Sequence, residues 1–379
     1  MNILDVIPFF SPKFGGSVRS TYLLCKHLAE KGHNVTILTT DFQYDQSFAI
    51  ELKNVEIIPL KCFFNIASFL YSPTIHLWLS EKITGYDIIH LHSYRSYQNV
   101  VVSEYAKKFN IPYVISSHGS VVPFFEKITL KKIYDLTWGY KILKGASYSI
   151  ALTESEAKQY ESMGVVTNKI KIIPNATDIS IFSNIPPKGS FRSKYGILND
   201  KKIILFLGRL HKIKGLKNLF HAFSILLNHL DNIELVIIGP DEGMLSELKS
   251  LVKTLNIEKN VIFSGPLYNL DKYEALVDAD ILVLPSLYDT FGNVVLEAWA
   301  FSKPVIVTDT CGISHFSENC GIVIKYDINQ LCNAMYSLLT NDGCRELLGK
   351  NGYENLCNNF SMDILTKRIE DVYESAILK

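Results

Sequence analysis

The sequence has few of the features that mark secreted, zinc-binding or membrane-spanning proteins. Its seven cysteines form no Cys-x-x-Cys pair and no Cys/His spacing of a zinc site, so we expect reduced thiols, most of them in the core. Residues 1–12 lack the basic segment and the long apolar run of a signal peptide and predict a buried first strand. The stretch 63–79 is apolar and aromatic, but polar residues interrupt it, and it is too short to span a bilayer.

The chain also lacks a net charge, because 38 Lys and Arg residues balance 38 Asp and Glu residues. This balance argues against nucleic acid as a partner, since no broad positive field would attract it. The chain has 379 residues, of which 47% are hydrophobic and 20% charged. That composition excludes a disordered polymer and provides apolar material for two cores.

Short apolar runs alternate with helical patterns along the whole chain, which predicts parallel sheets covered by helices on both faces. The predicted strands form two series, so we expect an α/β protein with two doubly wound, Rossmann-like domains. The first series is 2–7, 34–39, 57–59, 88–92, 113–117, 147–151 and 170–173, and the second is 202–208, 234–239, 261–264, 281–285, 304–308 and 321–324.

A loop-rich stretch between residues 174 and 196 separates the two series. We therefore expect an N-terminal domain over 1–185, a second domain over 196–360, and a one-sided helix over 361–379 that returns to the first domain. Ligands of doubly wound sheets lie beyond the carboxyl ends of the strands. The cleft between the two domains is thus the expected site.

Glycines follow the first predicted strand. Gly15 and Gly16 precede a helix expected to begin near Val18, and they would allow the backbone to approach an anion at the helix N-terminus. The same pair also fits an ordinary tight turn. No Gly-x-Gly-x-x-Gly fingerprint of dinucleotide binding occurs here.

Two cations follow the first strand of the second series. Arg209 and Lys214 lie in the segment from Gly208 to Gly215. Two cations beside a helix N-terminus suit a diphosphate, although a solvated basic loop has the same composition. The Gly-x-x-x-x-Gly-Lys-Ser/Thr motif of P-loop enzymes is absent from the sequence.

The third motif joins an acidic loop to a helix start. Asp289 follows a predicted strand, Phe291, Gly292 and Asn293 open a helix, and Glu297 lies about one turn inside it. Acids and successive backbone amides together suit sugar hydroxyls and a phosphate. A capping acid and a solvated helical glutamate are the alternative.

Taken in order, these motifs resemble the family 4 glycosyltransferases, a large retaining group of GT-B fold. The resemblance covers nearly the whole chain. One departure is that Asp289 stands where the family's Glu-x7-Glu pair has its first glutamate. The motifs that carry the resemblance are the Gly-Gly loop, His118-Gly119, Pro174-Asn175, Gly208-Arg209 with Lys214-Gly215, and the block from Asp289 to Glu297.

The resemblance assigns roles in the second domain, which would bind a nucleotide-sugar donor. Arg209 and Lys214 would hold the diphosphate and stabilise the departing nucleotide without a metal. Asp289 would contact hydroxyls of the transferred sugar, and Glu297 the ribose hydroxyls. The amides of Phe291, Gly292 and Asn293 would surround the sugar and phosphate, and the backbone from Gly265 to Leu267 would contact the base.

In the first domain, on the acceptor side, Gly15 and Gly16 would approach the phosphates or the sugar. His118 resembles the family histidine that reaches the donor sugar, with a core histidine as the alternative. Glu154 follows another strand and is a weaker candidate, since a helix-cap acid fits equally well.

The implied activity is retaining transfer of a sugar from a UDP- or GDP-sugar to a glycan or undecaprenyl-linked glycan in surface polysaccharide or lipopolysaccharide synthesis, with no cofactor and no metal. Lysines and aromatics mix over 121–144, including Phe124, Phe125 and Trp138. This mixture suits an anionic membrane surface, and equally a helix with a solvated basic face. We expect a cytoplasmic protein bound peripherally to the inner face of the membrane.

Two other functions fit the same sequence. A GT-B sugar-nucleotide epimerase or hydrolase would act on the donor alone, and a non-catalytic protein would only bind it. Asp289, Glu297, Arg209 and Lys214 are all present, which argues against lost catalysis.

Overall fold

The computed structural model describes residues 1–66, 69–122, 127–182 and 185–379. The chain divides into two compact units. The first is Met1–Ala176 together with Met362–Lys379, and the second is Thr177–Ser361. Both units are built from a parallel sheet with helices, as alternating strand and helix patterns require.

The strands of the first unit are β1 (Asn2–Val6), β2 (Asn34–Thr40), β3 (Val55–Leu60), β4 (Phe64–Ile66), β5 (Phe69–Tyr71), β6 (Ile88–His92), β7 (Tyr113–Ser116), β8 (Tyr148–Ala151) and β9 (Ile170–Ile172). Those of the second are β10 (Lys202–Leu207), β11 (Ile233–Ile238), β12 (Val261–Gly265), β13 (Ile281–Leu284), β14 (Val305–Thr308) and β15 (Gly321–Ile324).

The helices of the first unit are α1 (Gly16–Glu30), α2 (Gln46–Ile50), α3 (Thr74–Lys82), α4 (Tyr97–Lys108), α5 (Ile128–Tyr134), α6 (Tyr140–Gly145) and α7 (Glu154–Ser162). A π-helical turn, Asp135–Gly139, joins α5 to α6. The second unit has α8 (Ser190–Tyr195), α9 (Leu216–Leu226), α10 (Leu245–Thr254), α11 (Asn269–Asp278), α12 (Asn293–Ala300), α13 (Ile328–Thr340) and α14 (Asp342–Asn359), and α15 (Met362–Ile377) belongs to the first unit.

Both large sheets are doubly wound. Among the described residues, the first has the strand order β3-β2-β1-β6-β7-β8-β9 and the second β12-β11-β10-β13-β14-β15, with parallel pairing throughout. The order reverses between β1 and β6 in one sheet and between β10 and β13 in the other. The crevice at such a reversal, beyond the carboxyl ends of the strands, is where these folds bind ligands.

The strand predictions are confirmed, since each predicted strand overlaps an observed one. The two-residue alternation places neighbours on opposite faces of the sheet. Ile3 of β1 packs in the core that contains residues of α1 and α15, whereas Leu4 packs in the core that contains residues of α3 and α4.

Two elements differ from the expectation. The stretch 63–79 contains an antiparallel pair of strands, β4 and β5, in which the rings of Phe64 and Tyr71 stack at 4.6 Å. The connection expected to be loop contains helix α8 and a 3-10 turn at Ile179–Phe182. Both elements are short, and short elements give weak periodic signals.

Candidate active site

The loops after β10 and β13 contact each other closely through their backbones. The N–H of Leu287 donates to the carbonyl of Ile213 at 2.8 Å. Gly215 has φ of 71°, and a Cβ built there would lie 1.9 Å from the carbonyl oxygen of Pro285. Only glycine allows this approach, because it has no Cβ and tolerates positive φ.

This arrangement carries an ion pair. Lys214 Nζ lies 2.5 Å from Asp289 Oδ2, and the two side chains are mostly buried. The backbone of Asp289 is fixed independently, because its carbonyl accepts the N–H of Gly312 at 2.9 Å. The structure therefore brings two predicted site residues into direct contact at the reversal of the second sheet.

Arg209 begins the same loop but has another partner. Its Nη1 lies 2.8 and 2.6 Å from the two carboxylate oxygens of Glu242, and both side chains are largely exposed. Glu242 follows β11, which neighbours β10. An exposed pair of this kind contributes only about 0.2–1 kcal/mol, so an anionic ligand can replace Glu242 at modest cost.

Glu297 lies one turn inside α12, and only one of its two carboxylate oxygens has a hydrogen-bond partner among the described residues. Its Oε1 accepts from Lys272 Nζ at 2.7 Å, whereas Oε2 is shielded from solvent and has no hydrogen-bond partner among the described residues. A buried carboxylate oxygen is costly to leave unpaired. Glu297 is therefore ready to accept a hydroxyl, and Lys272, which the sequence did not single out, positions it.

The start of α12 contributes backbone rather than side chains. Gly292 has φ of 96° and caps the helix that begins at Asn293, so the first amides face the loop. The Phe291 side chain is buried and packs near Phe316 and Phe360, which leaves only its backbone for a ligand.

The predicted base-contacting segment lies at the same sheet edge. Gly265 ends β12, and its carbonyl accepts the N–H of Gly239, the residue after β11, at 3.0 Å. Leu267 follows in the next loop and is partly exposed.

In the first unit, Gly15 caps α1, and Gly16 is its first residue. Gly15 has φ of 80°, and a Cβ there would meet nothing within 4 Å. Positive φ thus explains the glycine, and the open space leaves room for a ligand at the helix N-terminus.

His118 follows β7 in a left-handed conformation, with φ of 50°. Its Nε2 lies 3.0 Å from His92 Nδ1, and His92 Nε2 lies 2.6 Å from Asp5 Oδ1. Burial, and then the charge at His92, lower the pKa of His118 to about 3. His118 is therefore neutral at any ordinary pH.

Glu156, which was not predicted from the sequence, fixes the loop that contains His118. Glu154 is the exposed first residue of α7, whereas Glu156 is buried. Glu156 accepts the N–H of Gly119 at 2.6 Å and that of Leu152 at 2.7 Å. Burial raises the pKa of Glu156 against these hydrogen bonds. Glu156 therefore fixes the loop that contains His118, through its hydrogen bond to Gly119. Glu154 is an exposed acid in the first turn of α7.

Asp5, His90 and His92 were also not predicted as functional residues, although their positions in the sequence are unusual. Each interrupts a strand that is otherwise apolar and buried, where a polar residue is rare without a specific partner. Their ligand-type atoms lie within 4.8 Å of one another. His92 Nε2 lies 2.6 Å from Asp5 Oδ1, which is a hydrogen-bond distance. We therefore describe the cluster as a group of hydrogen-bonded side chains.

Two family models match the chain, each over one of its halves. The model described as Glycosyltransferase Family 4 matches residues 14–181, and the model described as Glycosyl transferases group 1 matches residues 187–355.

Individual proteins match over long stretches. An uncharacterized glycosyltransferase of Methanocaldococcus jannaschii is 26% identical over 100% of this chain and 99% of its own length. The UDP-Gal:alpha-D-GlcNAc-diphosphoundecaprenol alpha-1,3-galactosyltransferase of Escherichia coli is 25% identical over 79% of this chain and 78% of its own. The crystal structure of Anabaena HepE with UDP and glucose has a TM-score of 0.81 at 18% identity, covering 99% of this chain and 100% of HepE.

The contact at Gly215 generates a prediction about stability. Gly215→Ala should lower the free energy of unfolding by about 1–3 kcal/mol beyond the cost of positive φ, because the new methyl group forces the two loops apart. Urea denaturation measures this loss. Gly196→Ala is the matched control, since Gly196 has φ of 67° but open space around its Cβ. Equal losses for both variants would contradict the loop contact.

Proposed function

Since the chain belongs to the family 4 glycosyltransferases of GT-B fold, we propose that it is a retaining enzyme. Its donor is a nucleoside-diphosphate sugar with UDP or GDP, and its acceptor is a glycan or undecaprenyl-linked glycan of a surface polysaccharide. The Lys214–Asp289 pair carries the proposal, because it joins a cation for phosphate to a carboxylate for sugar hydroxyls. The E. coli relative, named for UDP-Gal and a diphosphoundecaprenol-linked sugar, supports this donor and acceptor class.

The proposed chemistry follows the charge. The bond between the anomeric carbon and the phosphate oxygen breaks, and negative charge grows on the departing diphosphate. Arg209 and Lys214 stabilise that charge, as prearranged cations do in many transfer reactions. The acceptor oxygen bonds to the same face of the sugar, and its proton passes to the departing phosphate.

Glu297 and the backbone complete the donor site in this proposal. Glu297 Oε2 accepts a ribose hydroxyl, which satisfies an oxygen that has no partner among the described residues. The first amides of α12 bind the sugar and phosphate. In the first unit, the loop at Gly15 and Gly16 approaches the phosphates, and His118 contacts the sugar.

Acceptor dependence tests the reaction class. The protein is incubated with a panel of UDP- and GDP-sugars, with and without an undecaprenyl-diphosphate glycan, and the released nucleoside diphosphate is measured. We expect release only with acceptor and an unchanged anomeric configuration in the product by NMR. Release without acceptor would indicate a hydrolase or an epimerase that cleaves its donor, and binding without release a non-catalytic protein.

The two cations should dominate the rate. Arg209→Ala and Lys214→Ala should each lower kcat by roughly 10²–10³-fold, because each removes a charge that stabilises the departing diphosphate. Lys212→Ala is the control, since Lys212 lies in the same loop but is exposed. Its rate should stay close to wild type. More than half of the wild-type rate in either cation variant would refute the assignment.

Activity should not require a divalent metal, since two protein cations provide the charge that a metal supplies elsewhere. Turnover in excess EDTA should equal turnover in added Mg²⁺. If EDTA stops the reaction and Mg²⁺ or Mn²⁺ restores it, Arg209 and Lys214 are not the main groups that stabilise the departing diphosphate.

Asp289→Glu should change donor preference. The backbone at Asp289 is held by Gly312, so the extra methylene moves the carboxylate by about 1.5 Å, and a shift of about 1 Å can cost on the order of 10²-fold. The measurement is kcat/KM for competing donors with wild type, Asp289→Glu and Asp289→Asn. Identical values and preferences in all three would show that Asp289 does not touch the sugar.

Membrane contact is also part of the proposal. In the described part of the chain, no helix has the length and apolar character needed to cross a bilayer. Apolar side chains are nevertheless exposed on α5 and the π-turn, among them Ile133, Leu136 at 74% and Trp138, beside the exposed Lys132. Phe124 and Phe125 lie outside the described residues. This mixture suits an anionic lipid surface.

The double variant Ile133→Ser/Leu136→Ser should weaken binding to vesicles, since burial of each apolar side chain contributes about 1.5–3 kcal/mol. Co-sedimentation with phosphatidylglycerol vesicles measures this, and phosphatidylcholine vesicles test the charge requirement. Leu198→Ser is the control, because Leu198 is equally exposed but belongs to the second unit. Unchanged sedimentation of the double variant would contradict the proposed surface.

A further inference from the structure

A chain of three polar side chains crosses the interior of the first sheet. Asp5 is the next-to-last residue of β1, His92 ends β6, and His118 follows β7, so three adjacent strands contribute one group each. Asp5 is 0% exposed and His92 1%. The two hydrogen bonds that join them measure 2.6 and 3.0 Å.

When Asp5 is ionised and His92 is neutral, the chemistry of these groups fixes the direction of both hydrogen bonds. A carboxylate only accepts, so His92 Nε2 donates its proton to Asp5. A neutral imidazole has one donor and one acceptor, and His92 Nδ1 is therefore the acceptor. His118 Nε2 must then donate to it, which leaves a lone pair on His118 Nδ1.

That lone pair is available for a hydrogen bond. His118 Nδ1 is buried, and within the part of the chain that the structure describes it has no hydrogen-bond partner. His118 lines a cavity of about 30 Å³ together with Thr21 and Asn175. A cavity of this size accommodates one water molecule or one hydroxyl group. A donating hydroxyl would satisfy the buried nitrogen.

His90 holds the ring of His92 from its other side. The two ring centroids are 3.9 Å apart. His90 itself is fixed at both nitrogens, by Tyr373 Oη at 2.7 Å and Ser116 Oγ at 2.8 Å. Burial lowers the pKa of His90 well below its ordinary value. The His90 ring, which packs against His92 at a tilt of 31°, is thus neutral and held at both nitrogens.

We propose that Asp5 and His92 are positioning residues that fix the tautomer of His118, so that His118 Nδ1 accepts a hydrogen bond from a hydroxyl of the donor sugar. The inference rests on the proposed function for the sugar contact, but the tautomer is a property of the protein without ligand. It explains why a fully buried acid lies in an apolar strand, far along the chain from the residue that it controls.

The tautomer can be observed directly. Protein labelled with ¹⁵N-histidine, free of ligand, gives long-range ¹H–¹⁵N correlations that distinguish Nδ1–H from Nε2–H, and the His118 signals are identified by their loss in His118→Asn. We expect Nε2–H in wild type. In Asp5→Asn the amide donates to His92, which reverses both hydrogen bonds and produces Nδ1–H on His118.

Kinetics with UDP- and GDP-sugars provide the second readout. Asp5→Asn and His92→Phe should each lower kcat/KM for the donor by roughly 5- to 150-fold, the effect of leaving a buried polar group unmatched. Tyr373→Phe is the control, because it disturbs the same buried cluster but not the path from Asp5 to His118. Its tautomer should match wild type.

Nδ1–H in wild type would overturn the proposal, and this result does not depend on whether any variant folds. An unchanged tautomer and unchanged kinetics in Asp5→Asn would overturn it as well. If Nε2–H is found but no UDP- or GDP-sugar moves the His118 signals, the sugar contact is wrong while the tautomer stands. If only the proposed function is wrong, the sugar nucleotides would shift the His118 signals, but no sugar would be transferred to the acceptor.

Discussion

The ion pair between Lys214 and Asp289 is the interaction on which the second unit's site depends. It forms because glycine at position 215 lets one loop approach the Pro285 carbonyl more closely than any other residue allows. The contact joins the two loops at the reversal of strand order. A cation and a carboxylate are thereby held side by side, and we propose that they bind the phosphate and the hydroxyls of the donor.

The loops that follow the strands carry different electrostatics in the two units. In the second unit, Arg209 and Lys214 are charged and paired with the carboxylates of Glu242 and Asp289. In the first, His118 is held neutral, because burial lowers its pKa to about 3. In our proposal, charge stabilisation thus belongs to the second unit, whereas hydroxyls are recognised by Asp289 and Glu297 in the second unit and by His118 in the first.

Much of the fold could be predicted because apolar runs and helical periods are local signals, and the loops after β1, β10 and β13 were recognised by their glycines. Partners distant in sequence could not be predicted this way. The order of the strands in each sheet decides which of these residues meet, and it cannot be read from the sequence. Examples are the ion pairs of Lys272 with Glu297 and of Glu242 with Arg209, and the hydrogen bond of Glu156 to the loop of His118. Asp5 could have been found, since an acid inside a buried strand requires a partner.

We propose that Lys214 binds the donor diphosphate, and the assignment of the donor site depends on this contact. Calorimetric affinities of nucleoside monophosphate and diphosphate for wild type and Lys214→Gln test it most directly. We predict that the variant loses roughly 10- to 150-fold in affinity for the diphosphate, the usual effect of one hydrogen bond to a charged group, with monophosphate affinity nearly unchanged. Equal losses for both nucleotides, or none for either, would contradict it.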